Sequence, residues 1–149
     1  MIKVEFHQFF ALFSEPRRAA LLAATEHRLY EAGALVFDEG DASDALYLVL
    51  DGEVELRKRT DTGKVEILAR VRGDECFGEM GVLDGCGRSA AAYTVSDTRL
   101  ARIPGAAVLS ALAEEPSSTV IRMFRSVSDR LRRTDIDYVS ETFRAERFP

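Results

Sequence analysis

Tryptophan is absent from the 149 residues, and cysteine and histidine occur only twice each. Two cysteines, Cys76 and Cys86, make no disulfide framework, so a reducing cytoplasm is the expected setting. His7 and His27 fall before or at the first predicted strand, which leaves no cluster of histidines with a carboxylate for a metal-dependent enzyme. No apolar run approaches the ~18 to 20 residues of a membrane-spanning helix. The apolar start, interrupted by Lys3, Glu5 and His7, stops at Ser14-Glu15-Pro16-Arg17-Arg18 without a small-residue cleavage site, so it does not read as a signal peptide. Basic excess is missing too: the formal net charge is -5, which argues against a general nucleic-acid surface. What is present, 46% apolar and 30% charged residues, suits one soluble globular domain with a real core.

Phe6, Phe9, Phe10 and Phe13 recur at helical spacing, and such a stripe reads as core. Ser14 offers an N-cap to a second helix, with Pro16 in its first turn and Leu21 and Leu22 inside. From His27 the pattern changes to short strands: Leu29 to Ala32, Leu35 to Phe37, Ala45 to Leu50, Glu53 to Arg59, Val65 to Val71, Ala90 to Val95 and Arg99 to Ile103. Turn chemistry at Gly33, Glu39-Gly40-Asp41, Asp51-Gly52, Asp61-Thr62-Gly63 and Arg72-Gly73-Asp74 divides them. This spacing predicts a sandwich or jelly roll. Helix resumes at Pro104, with Val108, Leu109 and Leu112 as its apolar face, and Pro116 opens the last helix. There Val120, Phe124, Val127 and Leu131 form a stripe that continues onto the polar Thr134 and Tyr138, while Ile136, Val139 and Phe143 make a displaced second face.

Chemistry concentrates in residues 77–91, FGEMGVLDGCGRSAA. Glycines at 78 and 81 permit close approach to the backbone, and a short helix starting there aims N–H groups and a partial positive charge at one point, which suits an anion. Arg88 supplies a guanidinium that meets phosphate oxygens in a fork, and Ser89 adds a donor. Glu79 accepts only, and so fits a sugar hydroxyl rather than a phosphate. Phosphate with ribose means a nucleotide. The plainer readings are a surface arginine and a carboxylate on a helix dipole.

F-G-E, then M-G-V-L, then R-S-A, with this loop length between Glu79 and Arg88, resembles the phosphate-binding cassette of cyclic nucleotide-binding domains. Gly33, Phe37, Glu39-Gly40-Asp41, Tyr47, Gly52 and Gly73-Asp74 extend the resemblance over most of the chain. It implies an α+β fold in which an antiparallel β jelly-roll barrel, a double-stranded β-helix, carries N-terminal helices and C-terminal lid helices. As one domain over residues 1–149, it divides into helices at 1–26, the β-roll at 27–103 with the cassette at 77–91, and C-terminal helices at 104–149. The implied ligand is cAMP or cGMP, with no metal and no catalysis. Phe77, Gly78, Glu79, Met80, Gly81, Arg88, Ser89 and Ala90 form the cassette side of the site, with ribose on Gly78 and Glu79.

The family also closes the site from the last helix. Arg130 would stack on the purine, Leu131 would pack on it and Thr134 would bond its edge, or all three belong to a solvated helix face. Thr134 accommodates adenine, whereas Asp135 would accept from guanine, so the base leans to cAMP with cGMP second. Arg122, Arg125, Arg130, Arg132 and Arg133 are basic but interrupted by acids, and no helix-turn-helix follows by Pro149, so direct DNA reading is not expected. Cys86 reads as a small loop residue or as a redox-sensitive thiol beside Arg88. The resulting expectation is a stand-alone cyclic nucleotide sensor that signals to an effector protein, or to a second copy in a homodimer, through its C-terminal helix. The alternatives are a ligand-free assembly module and a sensor of a cyclic dinucleotide.

Overall fold

The computed structural model describes residues 2–123 and 125. The run ALYLVL is apolar at every position because the strand it forms, Ala45–Asp51 (β3), is covered on both faces. Alternation sends Leu46, Leu48 and Leu50 to one side and Ala45, Tyr47 and Val49 to the other, into two separate cores. The other strands are Glu26–Tyr30 (β1), Leu35–Phe37 (β2), Glu53–Arg59 (β4), Val65–Arg72 (β5), Cys76–Phe77 (β6), Ala91–Thr94 (β7) and Thr98–Pro104 (β8). Helices occupy Arg17–Ala24 (α1), Glu79–Asp84 (α2) and Gly105–Glu114 (α3), and residues 117–123 are helical after Pro116.

All pairings are antiparallel, in two four-stranded sheets of order β1-β8-β3-β6 and β2-β7-β4-β5. The closed barrel expected from the sequence is not formed: among the described residues no ladder joins an edge of one sheet to the other. One edge is β6, only two residues long, because Gly78 at φ 79° turns the chain into α2 before more ladder can form. Between the sheets lie Phe37, Tyr47, Val49, Val54, Val71, Phe77, Ala92 and Leu100. On the far side of β3 and β8, the helices pack Phe9, Phe10, Phe13, Leu21, Val108, Leu112 and Met123 onto Leu46, Leu48, Ala101 and Ile103.

Three local expectations are corrected. The phenylalanine stripe is not one α-helix but two 3-10 turns, Val4–Phe6 and Gln8–Leu12, separated by extended His7. His7 Nδ1 accepts the Phe9 N–H at 3.1 Å and diverts that donor from a continuous helix. Phe9, Phe10 and Phe13 are buried, whereas Phe6 is 74% exposed. Ser14 does not cap α1, since Pro16 holds that position without a side-chain bond and the Ser14 hydroxyl donates instead to Glu115 Oε1 at 3.0 Å. Leu109 points outward, and the buried stripe of α3 is Gly105, Val108, Ala111 and Leu112.

The His7 ring pins the N-terminal turns to the β5–β6 connection. Its Nε2 lies 3.1 Å from the Glu75 carbonyl oxygen, so with Nδ1 accepting from Phe9 the neutral tautomer protonated at Nε2 satisfies both partners. Burial pushes its pKa below the ordinary 6.5, against the Glu75 bond and the Asp74 carboxylate, which raise it. A folded pKa below the unfolded one means that His7 stabilises fully above about pH 6.5, and that this stability is lost as pH falls through the folded pKa. The melting temperature is expected to drop from pH 7 to pH 5, and to drop less in His7→Gln. Equal pH slopes in thermal melts of the two proteins would remove His7 from the account.

Candidate ligand site

The cassette residues are brought together where β6 meets α2. Gly78 takes the left-handed conformation at the N-cap of α2, and a Cβ there would lie 2.7 Å from Arg88 Nη1. Gly81 serves a different end, because a Cβ there would meet Ser43 Oγ at 1.8 Å and Ser43 Cβ at 2.3 Å. Only hydrogen at position 81 lets α2 lie against the turn that leads into β3. The strand Cys76–Phe77 was not expected from the sequence, since two residues show no alternation. Phe77 is nonetheless fully buried, its ring stacked on Tyr47 at 5.2 Å between centroids.

The loop between Asp84 and Ala91 is clamped at Arg88. Arg88 N–H donates to the Asp41 carbonyl at 2.8 Å, and the Arg88 carbonyl accepts from Gly40 N–H at 2.9 Å, so the DEGD turn fixes the backbone that carries the guanidinium. The side chain is turned inward and is 5% exposed as a residue. Nη1 donates to the Gly78 carbonyl at 2.7 Å and Nη2 to the Ala45 carbonyl at 2.6 Å, while the guanidinium carbon sits 4.1 Å from the Phe37 ring centroid. Two of its five N–H groups are thereby used. Among the described residues, buried Nε has no hydrogen-bond partner.

Burial lowers the Arg88 pKa, with Tyr47, Asp44 and Glu79 acting against burial and Arg102 acting with it. An arginine remains charged through such a shift. Asp44 Oδ1 stands 3.9 Å from Arg88 Nη2, and Asp44 Oδ2 stands 3.2 Å from Arg102 Nη2. Burial opposes the charge on Arg102 as well, but the hydrogen bond it donates to the Tyr47 side-chain oxygen and the carboxylates of Asp44 and Glu26 outweigh it and raise its pKa. Glu79 is 2% exposed in the first turn of α2.

The expected cassette residues therefore divide by burial. Phe77, Glu79, Arg88 and Ala90 are buried, Gly78 and Gly81 are half-buried at the turn, and Met80 and Ser89 are exposed. Arg130, Leu131 and Thr134 lie outside the described residues. The sequence reading missed Phe37 as the ring beneath Arg88, the Ala45 carbonyl that holds it, and Asp44 beside it. Tyr47 carried a hint, because a tyrosine within an apolar strand has a hydroxyl to satisfy. Cys86 is exposed, with its N–H donating to Asp84 Oδ1 at 2.8 Å.

A buried cation with spare N–H groups, flanked by a buried carboxylate and by backbone close to a glycine turn, can hold an anion that also presents a hydroxyl. Among the described residues, no group of three or more His, Cys, Asp or Glu is placed to hold a metal, and no helix is long and apolar enough to cross a membrane.

Comparison with known proteins points the same way. The cyclic AMP receptor protein of Thermus thermophilus is 43% identical over 79 residues, 53% of this chain and 37% of its own. Lysophospholipase NTE1 of Chaetomium globosum is 31% identical over 109 residues, 73% of this chain but 7% of that enzyme. The crystal structure of the Thermus thermophilus catabolite activator protein superposes with a TM-score of 0.73 at 31% identity, covering 91% of this chain and 63% of that one. The chain thus spans well under two thirds of the length of these curated relatives. The family model for the cyclic nucleotide-binding domain matches residues 27–115, and the chain belongs to that family.

Proposed function

We propose that this chain is a sensor that binds a cyclic mononucleotide, cAMP ahead of cGMP, and reports binding to an effector protein through movement of its C-terminal helix. The observation that carries the reading is Arg88: buried, stacked on Phe37, tethered by two carbonyls, and with Nε still unpartnered among the described residues. A buried guanidinium with unused donors is costly unless an anion completes it. The cyclic phosphate would take those donors with the Ser89 hydroxyl and the Ala90 amide, and the ribose hydroxyl would bond Glu79 beside Gly78. Phe77, Met80 and Gly81 would shape the cassette wall. The names of the relatives support cAMP.

Arg130, Leu131 and Thr134 would then close over the base, completing a jelly roll with a helical lid. Output follows because a ligand shifts an equilibrium only by binding one state better. The partner surface would be the C-terminal helix, shared with an effector or with a second copy, in a cytoplasmic protein that does no catalysis itself. The match to lysophospholipase covers 7% of that enzyme, a fraction suited to a regulatory domain rather than to a catalytic one.

Calorimetric titration with cAMP, cGMP and a cyclic dinucleotide tests this. Saturable binding of cAMP, tighter than cGMP, is expected. Preference for the dinucleotide would replace the ligand class, and absence of binding to well-folded protein would leave an assembly module.

A further inference from the structure

The sheet of order β2-β7-β4-β5 turns Phe37, Val54, Val71 and Ala92 inward, and its other face carries charge. Direct neighbours across its four strands are Leu35, Tyr93, Glu55 and Arg70. Strict alternation along β5 would seat Arg70 with Leu68 and Glu66, but a register shift opposite Leu56 and Arg57 leaves Leu68 out of the ladder. Ile67 and Val65, paired with Arg57 and Arg59, therefore share the outer face with Arg70 and Arg72.

Glu55 is buried on this outer face because two arginines cover it. Its Oε1 accepts from Arg57 Nε at 3.0 Å and Nη2 at 2.8 Å, and its Oε2 accepts from Arg70 Nε at 3.1 Å. Arg57 is also held against Tyr93, its guanidinium carbon 4.5 Å from the ring centroid. Arg72 Nε donates to Glu53 Oε1 at 2.7 Å. Arg70 and Arg72 are thus anchored at Nε, with both side chains exposed, and among the described residues their Nη groups make no hydrogen bond. A guanidinium oriented from behind in this way presents its Nη pair as a fork, the geometry that meets a carboxylate with two bonds. Beside the forks, Val65, Ile67 and Leu35 are exposed aliphatic side chains.

We propose that this face docks an acidic, partly apolar segment of a partner protein in extended form. Its carboxylates, two positions apart, would lie on Arg70 and Arg72, and its apolar side chains on Ile67 and Val65. Strand geometry puts positions 70 and 72 roughly 6.6 Å apart, the interval between alternate side chains of an extended peptide. Charge fits the same partner: residues 53–72 hold six Lys and Arg against four Asp and Glu, a basic hairpin in a chain of net charge -5. A nucleic acid would also suit the forks, but it would be repelled by the negative chain and would leave the three aliphatic side chains in water. The face lies on the far side of the sheet from Phe37 and Arg88, so the inference does not rest on the ligand reading.

Selection of the full chain against a phage library of random dodecapeptides, followed by calorimetry with the synthetic peptide most enriched, tests it. Enriched sequences are expected to place Asp or Glu at two positions separated by one residue, with aliphatic residues further along. The peptide should bind the wild type saturably. The double variant Arg70→Gln/Arg72→Gln should weaken binding about tenfold or more, and the exposed Arg72→Gln alone about threefold, both with thermal melts showing a folded protein. Lys58→Gln/Lys64→Gln removes the same charge from the hairpin outside this row and should change affinity by less than about twofold. Arg88→Ala should bind the peptide like the wild type. No enrichment, enriched sequences without an excess of acids, or equal losses in the two double variants would overturn the proposal. Tighter binding of heparin or of a single-stranded oligonucleotide than of the peptide would also overturn it, and would assign the face to polyanions.

Discussion

Arg88→Ala is expected to weaken cyclic nucleotide binding by about a hundredfold or more. Each charge-assisted hydrogen bond contributes roughly 1.5 to 3 kcal/mol, and a fork makes two of them, so even the lower figure removes about two orders of magnitude. Arg88→Lys should recover little. Lysine offers a point charge on a flexible stem, and it cannot reach the Gly78 and Ala45 carbonyls, lie over the Phe37 ring and still present a fork to phosphate. Alanine would also remove the bonds that Arg88 donates to those carbonyls, so the comparison needs circular dichroism and thermal melts showing a folded variant. A folded Arg88→Ala protein that bound cAMP like the wild type would remove the phosphate role.

Gly81→Ala is expected to destabilise the fold by about 2 kcal/mol or more, toward the upper end of the range for overpacked sites. The added Cβ would overlap Ser43 Oγ at 1.8 Å and Ser43 Cβ at 2.3 Å, and would approach the Cys86 carbonyl at 2.9 Å. Rotating the Ser43 hydroxyl away relieves only the first of these, so α2 or the turn before β3 must shift. Ser43→Gly removes both side-chain clashes and should restore much of the stability, giving a strongly non-additive double mutant. Ser43 Oγ is buried without a hydrogen-bond partner among the described residues, so deleting it alone should cost little. Urea denaturation of the four proteins measures this. A Gly81→Ala variant as stable as the wild type, or one that Ser43→Gly fails to rescue, would show that the close packing of α2 is misjudged.

The cassette could be read from sequence because its parts are contiguous. Gly78, Glu79 and Arg88 lie within one stretch, and spacing alone places them on one turn and loop. Their surroundings come from strand pairing. Ala45, whose carbonyl holds Arg88, is 43 positions away, and Phe37 arrives on the other sheet. Sequence therefore predicts a guanidinium for the phosphate but not one already tethered and stacked. Ser14 shows the same limit in another form. It has the chemistry of a helix cap, but a carboxylate 101 positions away competes for its hydroxyl and takes it. The phenylalanine stripe misled because a helical period cannot reveal that His7 would accept a backbone N–H and break the helix in two. Strand identity was legible wherever both faces are covered, as in β3, and was lost at β6, where the glycine turn leaves two residues of ladder.

The central claim is that a cyclic phosphate completes the donors of Arg88. Nuclear magnetic resonance of the arginine Nε–H groups during a cAMP titration tests it most directly, with the Arg88 signal assigned by its loss in Arg88→Lys. The account predicts that the Arg88 Nε–H signal shifts downfield and becomes protected from solvent exchange as the site fills, while the signals of arginines away from the site, a set that excludes Arg130, move little. Saturable cAMP binding that leaves the Arg88 Nε–H signal in place would contradict it.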